Sequence, residues 1–320
     1  MKRNGKNTAK SATKKKPRLE LPNDFAYLSG DIMTDIVDAH MNPWTWQDGS
    51  FNRVRYVKGD WKNRALTYSF VECQISSSGP RFERHSGLRE VKTRELQFDE
   101  LLPSDAIRHV KIRYTDLSEC PNISALMPRM MDRLEITGSD VRVVSALKLL
   151  PDTFAEISFS VYNPETPSDE EHLALERQVI ERLRSKHLRK FKCEMITSRE
   201  RTPLNLEAAL CEFLSKPSFQ LVRLDFSISL DVVAHAVQSW RNRSSFPVSK
   251  QKLVFPWTYA EFELEEFFKS LFPAWTFDKD YNTSYSETHP LVSDRILTCT
   301  ASYELAAYYR SIVVCFENEQ

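Results

Sequence analysis

Short stretches in which apolar and charged residues alternate return along this chain, and their spacing carries the first information. In Ile107-Arg108-His109-Val110-Lys111-Ile112-Arg113-Tyr114 the apolar positions Val110 and Ile112 have charges between and after them. A period of two gives a strand one apolar and one polar face. The pattern returns as Leu134/Ile136, Ile157/Phe159, Phe191/Cys193, Leu224/Phe226 and Leu253/Phe255, at intervals of 24, 23, 34, 33 and 29 residues. Each interval has room for the crossover of a dozen residues or more that parallel neighbours need. The spacing therefore predicts one mostly parallel sheet, with Val110, Leu134, Ile157, Phe191, Leu224 and Leu253 on adjacent strands.

Helical patterns fill the intervals. Ser139 precedes Val141, Val144, Leu147 and Leu150, and Ser168-Asp-Glu-Glu171 forms a capping box before Leu173, Leu175, Val179, Ile180 and Leu183. Leu204, Leu206, Leu210, Phe213 and Leu214 make a third helix that stops at Pro217. Ser229 opens a fourth, with Val232, Val233, Ala236, Val237 and Trp240. Thr258-Tyr-Ala-Glu261 caps a fifth, with Phe262, Leu264, Phe267, Phe268 and Leu271. Strand and helix recurring together read as a stacked α/β repeat array, and the uneven spacing leaves an ordinary α/β domain as the alternative.

Outside the array the pattern changes. Residues 1–20 have no apolar periodicity and read as a disordered basic tail. Within it Lys14, Lys15, Lys16 and Arg18 have the look of a nuclear-import signal, or of a solvated charge run. In residues 21–70, Phe25, Leu28, Ile32, Ile36 and Val37 mark one helix, and Phe51, Val54, Tyr56, Val57, Trp61 and Leu66 mark a second stretch ending near Phe70. Ser76–Pro80 reads as a turn, and Glu95-Leu-Gln-Phe98 as an early strand. After Pro273, Trp275–Phe277, Ile296–Cys299 and Ile312–Phe316 read as strands, Asn282–Pro290 as a polar loop and Ser302–Tyr309 as a turn.

Two of these regions resemble known families. The Leu21-Pro22 start, the segment Asp31-Ile-Met-Thr-Asp-Ile-Val37, and Val54-Arg-Tyr-Val57-Lys58 leading to Trp61 resemble the F-box, a helical module that docks on the Skp adaptor of cullin ubiquitin ligases. The stretch Ala236–Val254 and the strand-rich ending resemble the C-terminal domains of nematode F-box and F-box-associated proteins. The first resemblance implies adaptor docking through Leu21, Pro22, Ile32, Ile36, Val37, Val57 and Trp61. Tyr27-Leu-Ser-Gly30, inserted between the Leu-Pro and Asp-Ile segments, departs from that family. The alternative for residues 21–70 is a helical cap covering the apolar end of the array. The expected architecture is thus α/β: a tail (1–20), an F-box-like module (21–70), a leucine-rich-repeat-like array with a mostly parallel sheet (71–272), and a strand-rich cap (273–320).

Composition narrows the chemistry. Seven glycines in 320 residues, none of them clustered, give no phosphate-cradling loop or dinucleotide fingerprint. The six cysteines form no C-x-x-C pair and read as reduced thiols, with Cys193 and Cys315 at core positions of strands. The seven histidines have no metal-ligand spacing. Glu170-Glu171 and Glu265-Glu266 lie on amphipathic helices, where solvation accounts for them, and no G-x-S-x-G elbow occurs. The formal charge is zero, but residues 1–18 hold eight basic residues and no acid. Removing those eight from the 44 basic residues leaves 36 against 44 acidic ones, a mildly acidic body that argues against a nucleic-acid-binding protein.

These readings predict a protein-interaction protein, with no catalytic role and no cofactor, in the cytoplasm or nucleus. No apolar run approaches the roughly 20 residues that span a bilayer, and the polar start predicts no signal peptide. The resemblance implies a substrate-recognition subunit of a Skp-cullin-F-box ligase, with a Skp-type adaptor and a target protein as partners. The alternative is a nuclear scaffold whose N-terminal helices only cap the array.

Overall fold

A computed structural model describes residues 69–86, 92–102, 105–120, 122–163, 168–197, 204–246, 250–257, 261–273, 282–304 and 309–318. The chain divides into two compact units, Met1–Ser69 with Arg84–Arg94, and Phe70–Glu83 with Glu95–Gln320. The second holds nearly all of the described residues.

Twelve described strands make one sheet: β1 (Ser69–Ser76), β2 (Gly79–Ser86), β3 (Lys92–Leu96), β4 (Ile107–Arg113), β5 (Met130–Gly138), β6 (Phe154–Asn163), β7 (Lys190–Thr197), β8 (Leu221–Leu224), β9 (Lys250–Pro256), β10 (Asn282–Thr288), β11 (Arg295–Glu304) and β12 (Tyr309–Asn318). Six described helices accompany them: α1 (Ile123–Leu126), α2 (Asp140–Leu149), α3 (Asp169–Arg184), α4 (Glu207–Ser215), α5 (Leu230–Arg241) and α6 (Glu261–Leu271). The order across the sheet is β10-β11-β12-β9-β8-β7-β6-β5-β4-β1-β2-β3. Strands β4 to β9 lie side by side in chain order and run parallel, with β1 parallel beside β4. The C-terminal strands join antiparallel to β9.

The register explains the recurring apolar pairs. Cys73, Val110, Leu134, Ile157, Phe191, Val222 and Leu253 are successive partners across seven strands, and Val314 and Cys299 continue the row. All are buried. The row beside it runs Ile75, Ile112, Ile136, Phe159, Cys193 and Leu224. The expected adjacency therefore holds, with one shift: on β8 the core pair is Val222/Leu224 rather than Leu224/Phe226, because the strand ends at Leu224 and the chain bends at Asp225.

The helices meet this face. Val143, Val144 and Leu147 of α2, Leu175, Val179 and Leu183 of α3, Leu210, Phe213 and Leu214 of α4, and Val233, Val237 and Trp240 of α5 share one core with the strand rows. Helices α2 to α5 also pack on one another in succession. Val141 and Leu173 point outward instead, since the stripe that faces the sheet is set by their neighbours. The Ser168–Glu171 capping box forms at α3, and Ser229 caps α5 through Asp231.

A basic side chain ties each of three helices to the element that follows it. Arg182 of α3 donates to the carbonyls of Leu147, Leu150 (2.7 Å) and Pro151 (3.0 Å) at the end of α2. Lys216 donates to Leu183 and Ser185 at the end of α3, both at 2.7 Å, and Arg243 to Leu214 and Ser215 at the end of α4, both at 3.3 Å. The last carbonyls of a helix lack partners and carry its negative end, so a cation there satisfies both.

Some loop and core expectations are corrected. Asn282–Pro290 contains an edge strand, β10, whose Ser and Thr content suits one polar face. Cys315 lies on the face opposite the core, because Val314 and Phe316 take the inward positions of β12. The strand near residue 95 is Lys92–Leu96 at the sheet's edge, and β1 takes the place beside β4. The turn before β2 is present, with Gly79 at φ +101°, a conformation side chains disfavour. Trp275–Phe277 lies outside the described residues.

Candidate interaction face

Every second residue of the strands points away from the helices. Parallel sheets are usually covered on both faces, and their strands then read as continuous apolar runs. The alternation in β4 to β9 instead keeps one face polar and clear of the described helices, and its register brings together charges far apart in the chain.

Over β1 and β4 to β7 these charges match one another. Glu72, His109, Arg133, Glu156 and Lys190 are partners across five strands, and Gln74, Lys111, Glu135, Ser158, Lys192 and Arg223 across six. Glu72 accepts from Lys111 Nζ at 2.6 Å and from His109 Nδ1 at 2.9 Å. His109 Nε2 lies 3.3 Å from Glu135, which also pairs with Arg133. Arg133 lies 3.6 Å from Glu156, which accepts from Lys192 at 2.8 Å and has Lys190 at 3.9 Å. His109 is 3% exposed and Glu156 5%, so this is a packed layer rather than a fringe. Burial pushes the Glu72 carboxyl up, but the bonds from His109 and Lys111 outweigh it and hold it at about 2. Glu135 is opposed by burial too, yet His109 and Arg133 bring it below the usual carboxylate range.

Past β7, over β8, β9 and β12, the matching ends. One row reads Lys190, Leu221 and Lys252, and the next Lys192, Arg223, Val254 and Val313. Arg223 is exposed and Lys252 half-buried, and neither has a carboxylate partner among the described residues. Lys250 pairs with Glu317 at 2.8 Å at the end of β9. Leu221, Val254 and Val313 are half-buried apolar neighbours of these bases. Beyond them Thr300 and Ser284 continue the face in hydroxyls, 3.3 Å apart.

No family model matches the chain, and no curated protein or solved structure matches it.

The sequence-expected docking residues Leu21, Pro22, Ile32, Ile36, Val37, Val57 and Trp61, and the basic Lys14, Lys15, Lys16 and Arg18, lie outside the described residues. The open-face charges were not singled out by sequence reasoning. Their signal was the polar residue inside each apolar pair: Lys111, Glu135, Ser158, Lys192 and Arg223. Elsewhere burial pushes the Cys73 thiol up to about 12 and also raises Cys299. Among the described residues no group of three or more His, Cys, Asp or Glu is placed to hold a metal ion, and no helix is long and apolar enough to cross a membrane. The hollow lined by Leu147, Asp152, Gln178 and Arg182 is where Arg182 already bonds the end of α2.

Proposed function

We propose that this chain is a protein-recognition subunit that binds a target through the helix-free face of its sheet. The observation that carries this reading is the polar side of β4 to β9, a parallel run that no helix among the described residues covers on that side. Such a face offers adjacent side chains from many strands at about 4.8 Å spacing, a broad surface for a protein partner. The F-box resemblance of residues 21–70 supports the finer reading, a substrate receptor of a Skp-cullin-F-box ligase.

Tagged full-length protein is expected to co-purify with a Skp-type adaptor. Trp61→Ala is expected to abolish that association while the sheet stays folded, and Lys62→Ala to leave it intact. Absence of any adaptor from the wild-type preparation sinks the ligase reading. The inserted Tyr27–Gly30 favours a second reading, a scaffold whose N-terminal helices only cap the array. A fragment of residues 20–75 that folds and binds an adaptor eliminates it.

A further inference from the structure

We infer that the open face over β7, β8, β9 and β12 binds an acidic peptide segment adjoined by aliphatic residues. This rests on the reading of the helix-free face as target-binding and specifies what it takes. The rows in register supply the argument. Lys192 and Arg223 are neighbours at roughly 4.8 Å, followed at the same step by Val254 and then Val313. Lys190 and Lys252 flank them in the adjoining row, about two strand spacings apart.

A ligand lying across the strands therefore meets Lys192, which Glu156 already engages, then Arg223, and then two valines. Carboxylates suit the first part and aliphatic side chains the second. Arg223 and Lys252 have no carboxylate partner among the described residues, so a ligand carboxylate there displaces no described ion pair. Acids do border the patch: Glu194 on β7, where Ser160 bonds it at 3.1 Å, Asp225 after β8, which accepts from Met195 N at 2.6 Å, and Glu317 paired with Lys250. They bound the site toward the strand ends and make it a short one. A polyanion tracking a long basic groove, as nucleic acids require, fits it poorly.

The test uses the full chain and fluorescence anisotropy of a labelled peptide, Glu-Asp-Glu-Asp-Leu-Val. Saturable binding is expected, weakening as salt rises because the charges sit near solvent. Arg223→Glu/Lys252→Glu is expected to weaken it by roughly tenfold or more. The neutral pair Arg223→Gln/Lys252→Gln gives the same direction with less perturbation, should the reversal impair folding. Lys148→Glu/Lys186→Glu, an equal charge change at two exposed lysines on the helical side, is expected to leave binding unchanged. The inference is overturned by an absence of saturable binding, or by equal loss in that control. It is also overturned if single-stranded oligo-dT binds more tightly and displaces the peptide. Failure of the ligase reading looks different: adaptor co-purification is lost while peptide binding persists.

Discussion

The two parts of the open face are built from the same residue types and behave oppositely. Over β1 and β4 to β7, Glu72, His109, Glu135, Arg133, Glu156 and Lys192 stand within ion-pair distance of one another in sequence across the sheet. Over β8 and β9, Arg223 and Lys252 have no described carboxylate to bond. A charge packed among partners cannot be withdrawn without stranding those partners, so the ladder is committed to the fold. A half-exposed charge without an internal partner adds little to stability and stays available to a ligand. Matched charges thus mark where the sheet holds itself together, and unmatched ones where it can hold something else.

The sharpest way to break this comparison is Glu156→Ala. Its carboxylate faces Lys192, Arg133 and Lys190, and it is among the most buried acids of the face. Removing it leaves three cations crowded over a packed surface. The three are partly exposed and can bend toward water, which puts the cost near the low end for a broken buried pair, about 3 kcal/mol. That is a large fraction of the roughly 5–15 kcal/mol a domain has. Urea unfolding is expected to show a lower midpoint at unchanged slope. A midpoint unchanged from wild type removes the distinction between the two parts.

Acid titration tests the ladder from its other end. The folded pKa of Glu72, about 2, is depressed below the ordinary 4.5, so the ionised form favours the folded state. That stability is fully present above pH about 4.5 and is lost as pH falls toward 2. The amount is at most on the order of 3 kcal/mol, and less to the extent that solvent screens this partly exposed carboxylate. Glu72→Gln is expected to flatten the acid limb of stability against pH, and Arg223→Gln to leave it as in wild type. An acid limb identical in Glu72→Gln and wild type contradicts the ladder's electrostatics.

How much of this was legible in the sequence depended on what one strand can show by itself. The rows through Val110, Leu134, Ile157, Phe191 and Leu253 were readable because the open face keeps strict alternation in each strand. On β8 the alternation runs on into Asp225 and Phe226, and only the pairing of Val222 with Phe191 shows where the strand stops. β10 escaped notice because an edge strand of Asn, Ser and Thr resembles a polar loop locally. Cys315 looked like a core residue until pairing with β9 fixed which side Val314 takes. The ion-pair ladder was hidden for a deeper reason. Glu72 and His109 are 37 residues apart, and Glu156 and Lys192 are 36 apart, so no local window contains either pair. Register between strands decides them, and register is a property of the folded sheet.

The smallest effect expected has the most informative sign. Arg223 stands beside Lys192 in register, with Lys252 on the neighbouring strand in the adjoining row. Like charges on adjoining strands repel, and a β-branched residue suits the middle of a strand better than a long cation. Arg223→Thr is therefore expected to raise stability, by a few tenths of a kcal/mol, at the limit of what a careful unfolding series resolves. The same change is expected to weaken binding of the acidic peptide. A residue whose removal helps the fold and harms binding is held against stability by function. Were Arg223→Thr to destabilise the protein by a kcal/mol or more, Arg223 would be part of the structural layer, and the division between the two parts of the face would collapse.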